Sequence, residues 1–321
     1  MRIRRIIAAL LLTILSAALI AGCGKRPAEN AVQEAPPEPT DLIEEPAPQT
    51  YRRTTVYFRS DDGFIVPVTK LIPWEEGIAR AALSYMVSTP INLSAAREMG
   101  LNTVIPDGVS FELSIIDGNA KVDISGLSPM QSREDEDDML HAIVNTLVEF
   151  PTVSTVTVTR DGAGGALENG ALLPVRQTAY ALNPEEPELA ANAAGEGVTL
   201  YFPNASGTLI VPVTRRMDED SGLYGAVSAL ISGARSPRLL DCFPEDTLLL
   251  GAAMENGVVT VNLSDDFRAV EDSPGLFTLA YRTVMMSLAE RYGITRLRFQ
   301  INGVDYEPES PESFKETNLW G

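Results

Sequence analysis

The sequence is short of the residues that most often do chemistry. Its 321 residues include two cysteines and one histidine, and 44 acidic residues outnumber 25 basic ones, giving a formal net charge of −19. Two cysteines argue against a disulfide-stapled domain and a four-cysteine zinc site. One histidine, His141, leaves little room for Ser-His-Asp catalysis or histidine-rich metal binding. The acidic charge would repel a polyanion. We therefore expect no metal, no cofactor and no nucleic-acid partner.

Residues 1–22 have the pattern of a secretion signal. Three arginines within Met1–Arg5 precede a stretch of apolar and small residues from Ile6 to Ile20. This stretch is shorter than the ~20 residues that a membrane-spanning helix needs. Its ending, Ile20-Ala-Gly-Cys23, resembles the lipobox of bacterial lipoproteins. The resemblance implies that Cys23 is lipidated and holds the exported chain at the outer face of the cytoplasmic membrane. The alternative is an ordinary signal peptide with a chance cysteine.

Residues 23–54 follow as a spacer rich in proline, alanine and glutamate. They show no apolar periodicity, and six prolines fall within them: Pro27, Pro36, Pro37, Pro39, Pro46 and Pro48. Such a segment buries too little apolar surface to offset its chain entropy. We expect an extended, disordered tether.

The rest of the chain contains one unit twice. Phe64-Ile-Val-Pro-Val-Thr-Lys70 returns as Leu209-Ile-Val-Pro-Val-Thr-Arg215, at a spacing of 145 residues (212 − 67 = 145). The preceding Tyr-Phe pair, two amphipathic stretches and a closing strand also recur in the same order. An internal repeat of this kind indicates a duplicated domain. We place the first domain at residues 55–165, a linker at 166–196, the second domain at 197–310 and a tail at 311–321.

Each unit has the predicted element order ββαββαβ. Asp61-Asp62-Gly63 and Asn256-Gly257 are hairpin turn signals, because glycine supplies the positive φ that such turns need. The second helix begins at Ser132 in one copy and at Pro274 in the other. Hairpin-joined strands with two helices predict an α+β fold, a mixed or antiparallel sheet with helices on one face.

A duplicated active site should repeat its reactive groups, and these copies do not. The shared positions are of turn, cap or core type, whereas His141 falls opposite Arg282, Asp123 opposite Asn262 and Asp161 opposite Asn302. The acids that could serve catalysis are therefore not duplicated. We predict no catalytic residues, although one copy could have kept an activity that the other lost.

The other candidate groups have simpler explanations. Glu134-Asp-Glu-Asp-Asp138 is an acidic first helical turn rather than a cation site, and Asp265-Asp266 fits helix entry. Cys242 lies in an apolar stretch, which favours a small buried side chain over a nucleophile. His141 has no second histidine nearby, so a satisfied or solvent-facing histidine is favoured over a metal ligand. A pair of carboxylates for glycoside hydrolysis arises easily by accident in so acidic a chain.

Together these features resemble a known family. The lipobox, the Pro/Glu-rich spacer and two copies of Tyr-Phe with Ile-Val-Pro-Val-Thr and Val-Asp/Asn-Ile/Leu-Ser are similar to the GerM-domain lipoproteins of spore-forming Firmicutes. The resemblance implies two small α+β domains like the ring-building motifs of secretion systems. It also implies a role in sporulation and germination, without established catalytic residues.

Two functions follow as hypotheses. The first is a non-enzymatic, membrane-anchored lipoprotein that assembles or stabilises a transenvelope complex, with envelope or sporulation proteins as partners and with self-association. The second is an envelope protein that binds or hydrolyses peptidoglycan of the cortex or cell wall.

Overall fold

The computed structural model describes residues 50–73, 77–186, 197–218, 221–307 and 318–320, which belong to one compact unit. The predicted signal peptide, Cys23 and the predicted spacer up to residue 49 lie outside these ranges. Within the described ranges, no helix has the length and apolar character needed to cross a membrane.

The first copy of the repeat begins with a long hairpin and ends with a short parallel strand. Its elements are β1 (Tyr51–Ser60), β2 (Ile65–Pro73), α1 (Ile78–Tyr85), α2 (Pro90–Arg97), β3 (Leu101–Asn102), β4 (Ser110–Ile116), β5 (Asn119–Ser125), α3 (Arg133–Val148) and β6 (Thr155–Arg160).

The second copy follows the same order. Its elements are β7 (Val198–Pro203), β8 (Ile210–Arg215), α4 (Gly222–Ile231), β9 (Leu249–Glu255), β10 (Val258–Leu263), a 3-10 helix (Asp265–Asp272), α5 (Pro274–Tyr292), β11 (Arg296–Ile301) and β12 (Val304–Tyr306). A last strand, β13 (Asn318–Trp320), follows near the C-terminus. The predicted α+β class and the order ββαββαβ are confirmed, with short additional elements in each copy.

The strands of each copy divide between two sheets, a finer arrangement than the sequence pattern predicts. In the first copy, β1 and β2 form an antiparallel hairpin, whereas β4 pairs antiparallel and β6 pairs parallel with β5. In the second copy, β7 and β8 form the hairpin, while β9 pairs antiparallel and β11 pairs parallel with β10. The three-stranded part of each copy is therefore a mixed sheet.

Local sequence sets the turns and helix ends. At the β9–β10 turn, Asn256 and Gly257 have φ of 51° and 75°, as a two-residue hairpin requires. The Ser132 hydroxyl accepts a hydrogen bond from the Asp135 N–H at 3.1 Å and so begins α3. Pro274 occupies the first turn of α5, and Gly293 ends that helix with φ of 62°. These predicted signals are confirmed.

The second long helix of each copy packs between the two sheets. Helix α3 contacts β1 and β6, and α5 contacts β7 and β11. The phenylalanines of the repeated Tyr-Phe pair, Phe58 and Phe202, are fully buried in a hydrophobic core that includes residues of both copies. The repeated apolar positions therefore form the core.

A hydroxyl on each of these helices completes the backbone bonding of the hairpin. The Tyr57 N–H donates to the Thr146 hydroxyl at 3.1 Å, and the Tyr201 N–H donates to the Ser287 hydroxyl at 2.9 Å. Thr146 and Ser287 occupy equivalent positions and are both buried. A buried N–H without an acceptor costs stability, which explains why both copies place a hydroxyl residue there.

We expect Thr146→Val and Ser287→Ala each to lower the free energy of unfolding by about 1–3 kcal/mol, because each leaves a buried tyrosine N–H without its acceptor. Urea unfolding followed by circular dichroism measures the change. Ser114→Ala, on an exposed position of β4, is the matched control and should leave stability within about 0.5 kcal/mol. Equal losses at all three positions would contradict this explanation.

Candidate functional site

One side chain joins the hairpins of the two copies. The Asn183 amide nitrogen donates to the Ile65 carbonyl at 2.7 Å and to the Pro212 carbonyl at 2.6 Å. Its amide oxygen accepts a hydrogen bond from the Ile65 N–H at 2.8 Å. Ile65 begins β2 and Pro212 lies in β8, so Asn183 bridges equivalent strands of the repeat.

The segment around Asn183 runs along β8. The Thr214 N–H donates to the Leu182 carbonyl at 2.8 Å, and the Glu185 N–H donates to the Thr214 carbonyl at 2.9 Å. The Thr214 hydroxyl accepts a further bond from the Leu182 N–H at 3.1 Å. These residues fall in the stretch 166–196 that we predicted as a linker, and here they extend the second hairpin by one short segment.

A buried ion pair holds the end of this segment. The Arg215 guanidinium donates to both carboxylate oxygens of Glu185, and each side chain is less than a tenth exposed. Arg215 also donates to the carbonyls of Ala229 and Gly233, both at 2.9 Å. A bidentate pair with its other donors satisfied is the geometry in which a buried charge is tolerated. Glu185 therefore ties the linker to the end of α4.

The earlier part of the predicted linker packs on the first copy. The buried Glu136 carboxylate accepts hydrogen bonds from the backbone N–H groups of Asn169 and Ala171, at 2.8 and 3.1 Å. The Asn145 side chain accepts one from the Tyr180 N–H at 2.8 Å. The described part of this segment, up to residue 186, is therefore bonded to α3 on one side and to β8 on the other.

A second contact between the copies lies at the turn that joins β1 to β2. The carbonyl of Asp62, in the predicted Asp61-Asp62-Gly63 turn, accepts a hydrogen bond from the Arg238 guanidinium at 2.6 Å. The Asp62 carboxylate accepts another from the Asn204 amide at 3.1 Å. The Arg238 guanidinium also lies 4.6 Å from the centre of the Phe64 ring, within range of a cation–π contact. The two copies are thus joined through Asn183 at the start of β2 and through Asp62 in the turn before it.

A cavity of about 560 Å³ lies at this junction. Equivalent residues of the two copies line it in pairs, Thr55 with Thr199 and Tyr57 with Tyr201, and linker residues complete its wall. The Tyr57 hydroxyl donates to the Glu149 carboxylate at 2.8 Å. The described lining supplies hydroxyl, amide and apolar groups together with that one carboxylate, a set that suits packing and hydrogen bonding.

Asp123, one of the acids considered for catalysis, binds a turn. Its carboxylate accepts hydrogen bonds from the Thr159 hydroxyl and, at 2.8 Å, from the Gly162 N–H. The equivalent Asn262 accepts one from the Gly303 N–H, also at 2.8 Å. Because an amide oxygen and a carboxylate do the same work in the two copies, this position needs an acceptor and not an acid.

The remaining candidates are also engaged in the fold. The Asp265 carboxylate accepts a hydrogen bond from the Arg268 guanidinium at 3.0 Å. The His141 ring lies 4.1 Å from the Tyr180 ring, and burial lowers the pKa of His141. Cys242 is buried and unbridged, 3.4 Å from the Thr283 hydroxyl, and burial raises the pKa of its thiol to about 11. Among the described residues, no group of three or more His, Cys, Asp or Glu side chains is placed to hold a metal.

The acidic turn of α3 is matched by one arginine of β1. The Arg59 guanidinium contacts the carboxylates of Asp135 at 2.8 Å, Asp138 at 3.2 Å and Glu134 at 3.3 Å. Burial raises the pKa of Asp138 to about 6, and the neighbouring carboxylates add to this, although Arg59 acts in the opposite direction. Asp138 therefore carries its charge at a cost to stability above that pH.

Sequence reasoning missed the residues that hold the copies together. Asn183 precedes a proline, and Asn-Pro indicates a turn, but nothing in that signal shows that the side chain reaches two strands. We interpreted Glu136 only as part of an acidic first helical turn, whereas its buried carboxylate binds the backbone of residues 169–171. Glu185 has no sequence signal that pairs it with Arg215.

We expect Asn183→Gly to lower the free energy of unfolding by about 1–3 kcal/mol, because it removes the three hydrogen bonds of the amide side chain. Asn183 has φ of 42°, so Asn183→Ala should cost a further ~1 kcal/mol through backbone strain. Urea unfolding measures both, and hydrogen exchange at the Ile65 amide reports the local opening. Unchanged exchange at Ile65 in both variants would show that Asn183 does not hold the junction.

We expect wild-type stability relative to Asp138→Asn to fall as the pH rises from about 4 to 6. The folded state binds the Asp138 proton more tightly than the unfolded state, so the folded state is favoured below this window and loses that advantage above it. The variant should gain roughly 1–3 kcal/mol on the wild type between pH 4 and pH 8. Met130 is uncharged and lines a surface pocket together with Asp138, so Met130→Leu should show no such dependence in the same unfolding titrations.

Comparisons with known proteins agree with this architecture. A model of the family described as Germane, sporulation and spore germination, matches residues 55–165 and 199–307. The spore germination protein GerM of Bacillus subtilis (strain 168) is 24% identical over 331 residues, covering 90% of this chain and 88% of that protein.

A solved structure shows the same fold. The tandem GerMN domains of the sporulation protein GerM from Bacillus subtilis superpose with a TM-score of 0.64 at 21% identity, covering 85% of this chain and 100% of that one. The predicted resemblance is confirmed over both copies. Because the family model matches two regions that together make up most of the sequence, the chain belongs to the Germane family of sporulation and spore germination and carries its domain twice.

Proposed function

We propose that the chain acts in sporulation and spore germination as an exported, non-enzymatic lipoprotein that assembles or stabilises a protein complex across the cell envelope. Membership of the Germane family supports the developmental role. The similar protein of Bacillus subtilis is named for spore germination, which points the same way. The lipid anchor at Cys23 and the outer face of the membrane as its location rest on the N-terminal sequence.

The observation that carries the proposal is the fixed junction between the copies. Asn183 and the Asp62–Arg238 contact join the domains, and the Glu185–Arg215 pair fixes the linker beside Asn183 on the second domain. Two similar domains held in one arrangement present two similar surfaces at a set spacing. A partner that meets both surfaces gains effective concentration without the cost of ordering the domains. A bridging component of an assembly requires this property.

The mixed sheets offer strand edges for such contacts. Strands β4 and β9 each lie at the end of their sheet and occupy equivalent places in the two copies. Both carry exposed apolar side chains, including Ile116 on β4 and Leu250 and Met254 on β9. An apolar sheet edge is a surface on which a second chain can add a strand. These exposed strand edges support the proposal that the chain binds protein partners.

The bonding of the acids supports a role without catalysis. Asp123 and its counterpart Asn262 bind the same turn, and Asp265 pairs with Arg268. The carboxylate fixes the turn in the first copy and the amide fixes it in the second, so the fold accounts for a hydrogen-bond acceptor at this position. The peptidoglycan hypothesis has no comparable observation in its favour.

The test is to purify the protein from the membranes of sporulating cells and to identify the envelope proteins that are captured with it. The wild-type chain is compared with two variants, in each of which one cysteine is replaced. We expect Cys23→Ala to lose palmitate labelling, to leave the membrane fraction and to capture envelope proteins at least tenfold less well. Cys242→Ala is the matched control, since its thiol is buried within the second domain, and it should keep all three properties.

Peptidoglycan clearing in a zymogram, abolished by Asp123→Asn or Asp265→Asn, would overturn the non-enzymatic role. Retention of Cys23→Ala in the membrane fraction with full labelling would overturn the lipid anchor. Failure of the wild-type chain to enrich any envelope protein would overturn the assembly role.

A further inference from the structure

Strand β9 has an open edge. It is the end strand of the sheet ordered β12-β11-β10-β9, and among the described residues it pairs with β10 alone. A bulge falls at Leu250, so the regular part of the edge is Gly251–Glu255. A β-carbon placed on Gly251 would meet no atom of the described residues within 4 Å beyond those of its chain neighbours. Strand β9 also contains neither lysine nor proline, which commonly protect such edges.

Helix α4 lies beside this edge. The Ser264 N–H, directly after β10, donates to the Leu248 carbonyl at 2.9 Å, so that carbonyl points toward β10. Successive carbonyls of a strand point in opposite directions, which directs the Leu249 carbonyl away from β10. The Tyr224 hydroxyl of α4 donates to the Leu249 carbonyl at 3.2 Å. The helix therefore reaches the free side of β9 and forms one wall of a groove along it, the β9 groove.

The β9 groove is apolar on the side of the helix. Met254 pairs with Val259, which is buried. Ala252 likewise pairs with the buried Val261. Opposed residues of an antiparallel pair share a face, so Met254 and Ala252 lie on the face that packs onto the core. At the open edge Met254 is still 48% exposed and Tyr224 is 52% exposed, so an added strand can cover both with apolar side chains.

Acidic side chains flank the β9 groove at both ends. Glu245 and Asp246 lie in the turn before β9, Glu255 ends the strand, and all three are exposed. Between them, residues 247–254 carry no charge. Because charges on two partners are complementary across an interface, this pattern favours an occupant with basic residues around an uncharged centre.

The first copy lacks two features of this groove. Ala79 takes the place of Tyr224 (224 − 79 = 145), and it is buried. In the equivalent edge strand β4, Glu112 takes the place of Gly251 (251 − 112 = 139) and puts a charge in the middle of the edge. The β9 groove therefore belongs to the second domain, and β4 serves as an internal control.

A second copy of this chain is a poor occupant for the β9 groove. The chain has a formal net charge of −19, so two copies repel each other. Strand β4 carries Glu112, and β9 itself ends in Glu255. Pairing either strand with β9 would place carboxylates of like charge along one edge. The charge pattern therefore favours a different protein.

We propose that the β9 groove binds an extended segment of a partner protein in which alternating apolar residues are flanked by lysine or arginine. The segment adds to the sheet as a strand bonded to the backbone of Gly251–Glu255, and its apolar side chains lie against Tyr224 and Met254. This inference rests on the proposed assembly role and names the class of partner at one of its edges.

The probe is a fluorescent synthetic peptide in which alternating valines and threonines lie between pairs of lysines. Anisotropy measures its binding to the mature chain, residues 23–321. We expect a peptide with glutamates in place of the lysines to bind about tenfold more weakly or worse, because its charge matches that of the groove. A peptide with prolines in place of the valines should not bind, since proline cannot donate to a strand ladder.

Met254→Lys tests the groove from the side of the chain. We expect it to weaken binding of the lysine peptide about tenfold, because it places a like charge against the peptide. Ile115→Lys, at the equivalent position of β4 (254 − 115 = 139), is the matched control and should leave binding unchanged. Thermal unfolding checks that both variants fold, and Tyr224→Ala, at an exposed position, replaces Met254→Lys if that variant does not.

Hydrogen exchange locates the bound peptide. We expect slower exchange of the amides of residues 251–255 when the lysine peptide is present, and unchanged exchange in residues 110–116. Absence of binding, equal binding of the glutamate peptide, equal losses in Met254→Lys and Ile115→Lys, or protection of β4 instead of β9 overturns the proposal.

The outcome for the β9 groove is separable from that for the proposed function. A wild-type chain that captures envelope proteins but does not bind the lysine peptide overturns the groove alone. A chain that binds the peptide at β9 yet captures no envelope protein overturns the assembly role in the envelope alone.

Discussion

The arrangement of the two domains depends on the amide of Asn183. Its three hydrogen bonds join the start of β2 to the middle of β8, so the repeated strands are placed beside one linker residue. The position requires a positive φ and both a donor and an acceptor, and asparagine supplies all three. The linker around it then lies against β8, which brings Glu185 to Arg215 and Tyr180 to the cavity wall.

The copies keep a bonding pattern while the residues that supply it change. Thr146 and Ser287 offer different hydroxyls to equivalent tyrosine N–H groups, and Asp123 and Asn262 offer different oxygens to equivalent turns. In each case the fold needs an acceptor at a fixed place, and the remaining chemistry of the side chain is free to vary. The requirement for an acceptor at this turn therefore accounts for the hydrogen bonds of the unrepeated acid Asp123.

Much of the fold could be predicted because its signals are local or repeated. Element order follows from hydrophobic periodicity, and the ends of α3 and α5 follow from Ser132, Pro274 and Gly293. The division of each copy into two sheets could not be predicted, since the parallel pairing of β5 with β6 joins strands separated by a helix. The junction could not be predicted either, because its bonds join residues as far apart as Ile65 and Asn183.

Because the linker is bonded to β8, the second folded domain begins earlier in the chain than the second copy of the repeat does. By sequence, the second copy begins near residue 197, where similarity to the first resumes. By structure, its hairpin is completed by Leu182 and Glu185, and the guanidinium of Arg215 finds its carboxylate there. A fragment cut at the repeat boundary would leave a buried arginine without its counter-ion. The second folded domain therefore begins about fifteen residues before the second copy of the sequence repeat (197 − 182 = 15).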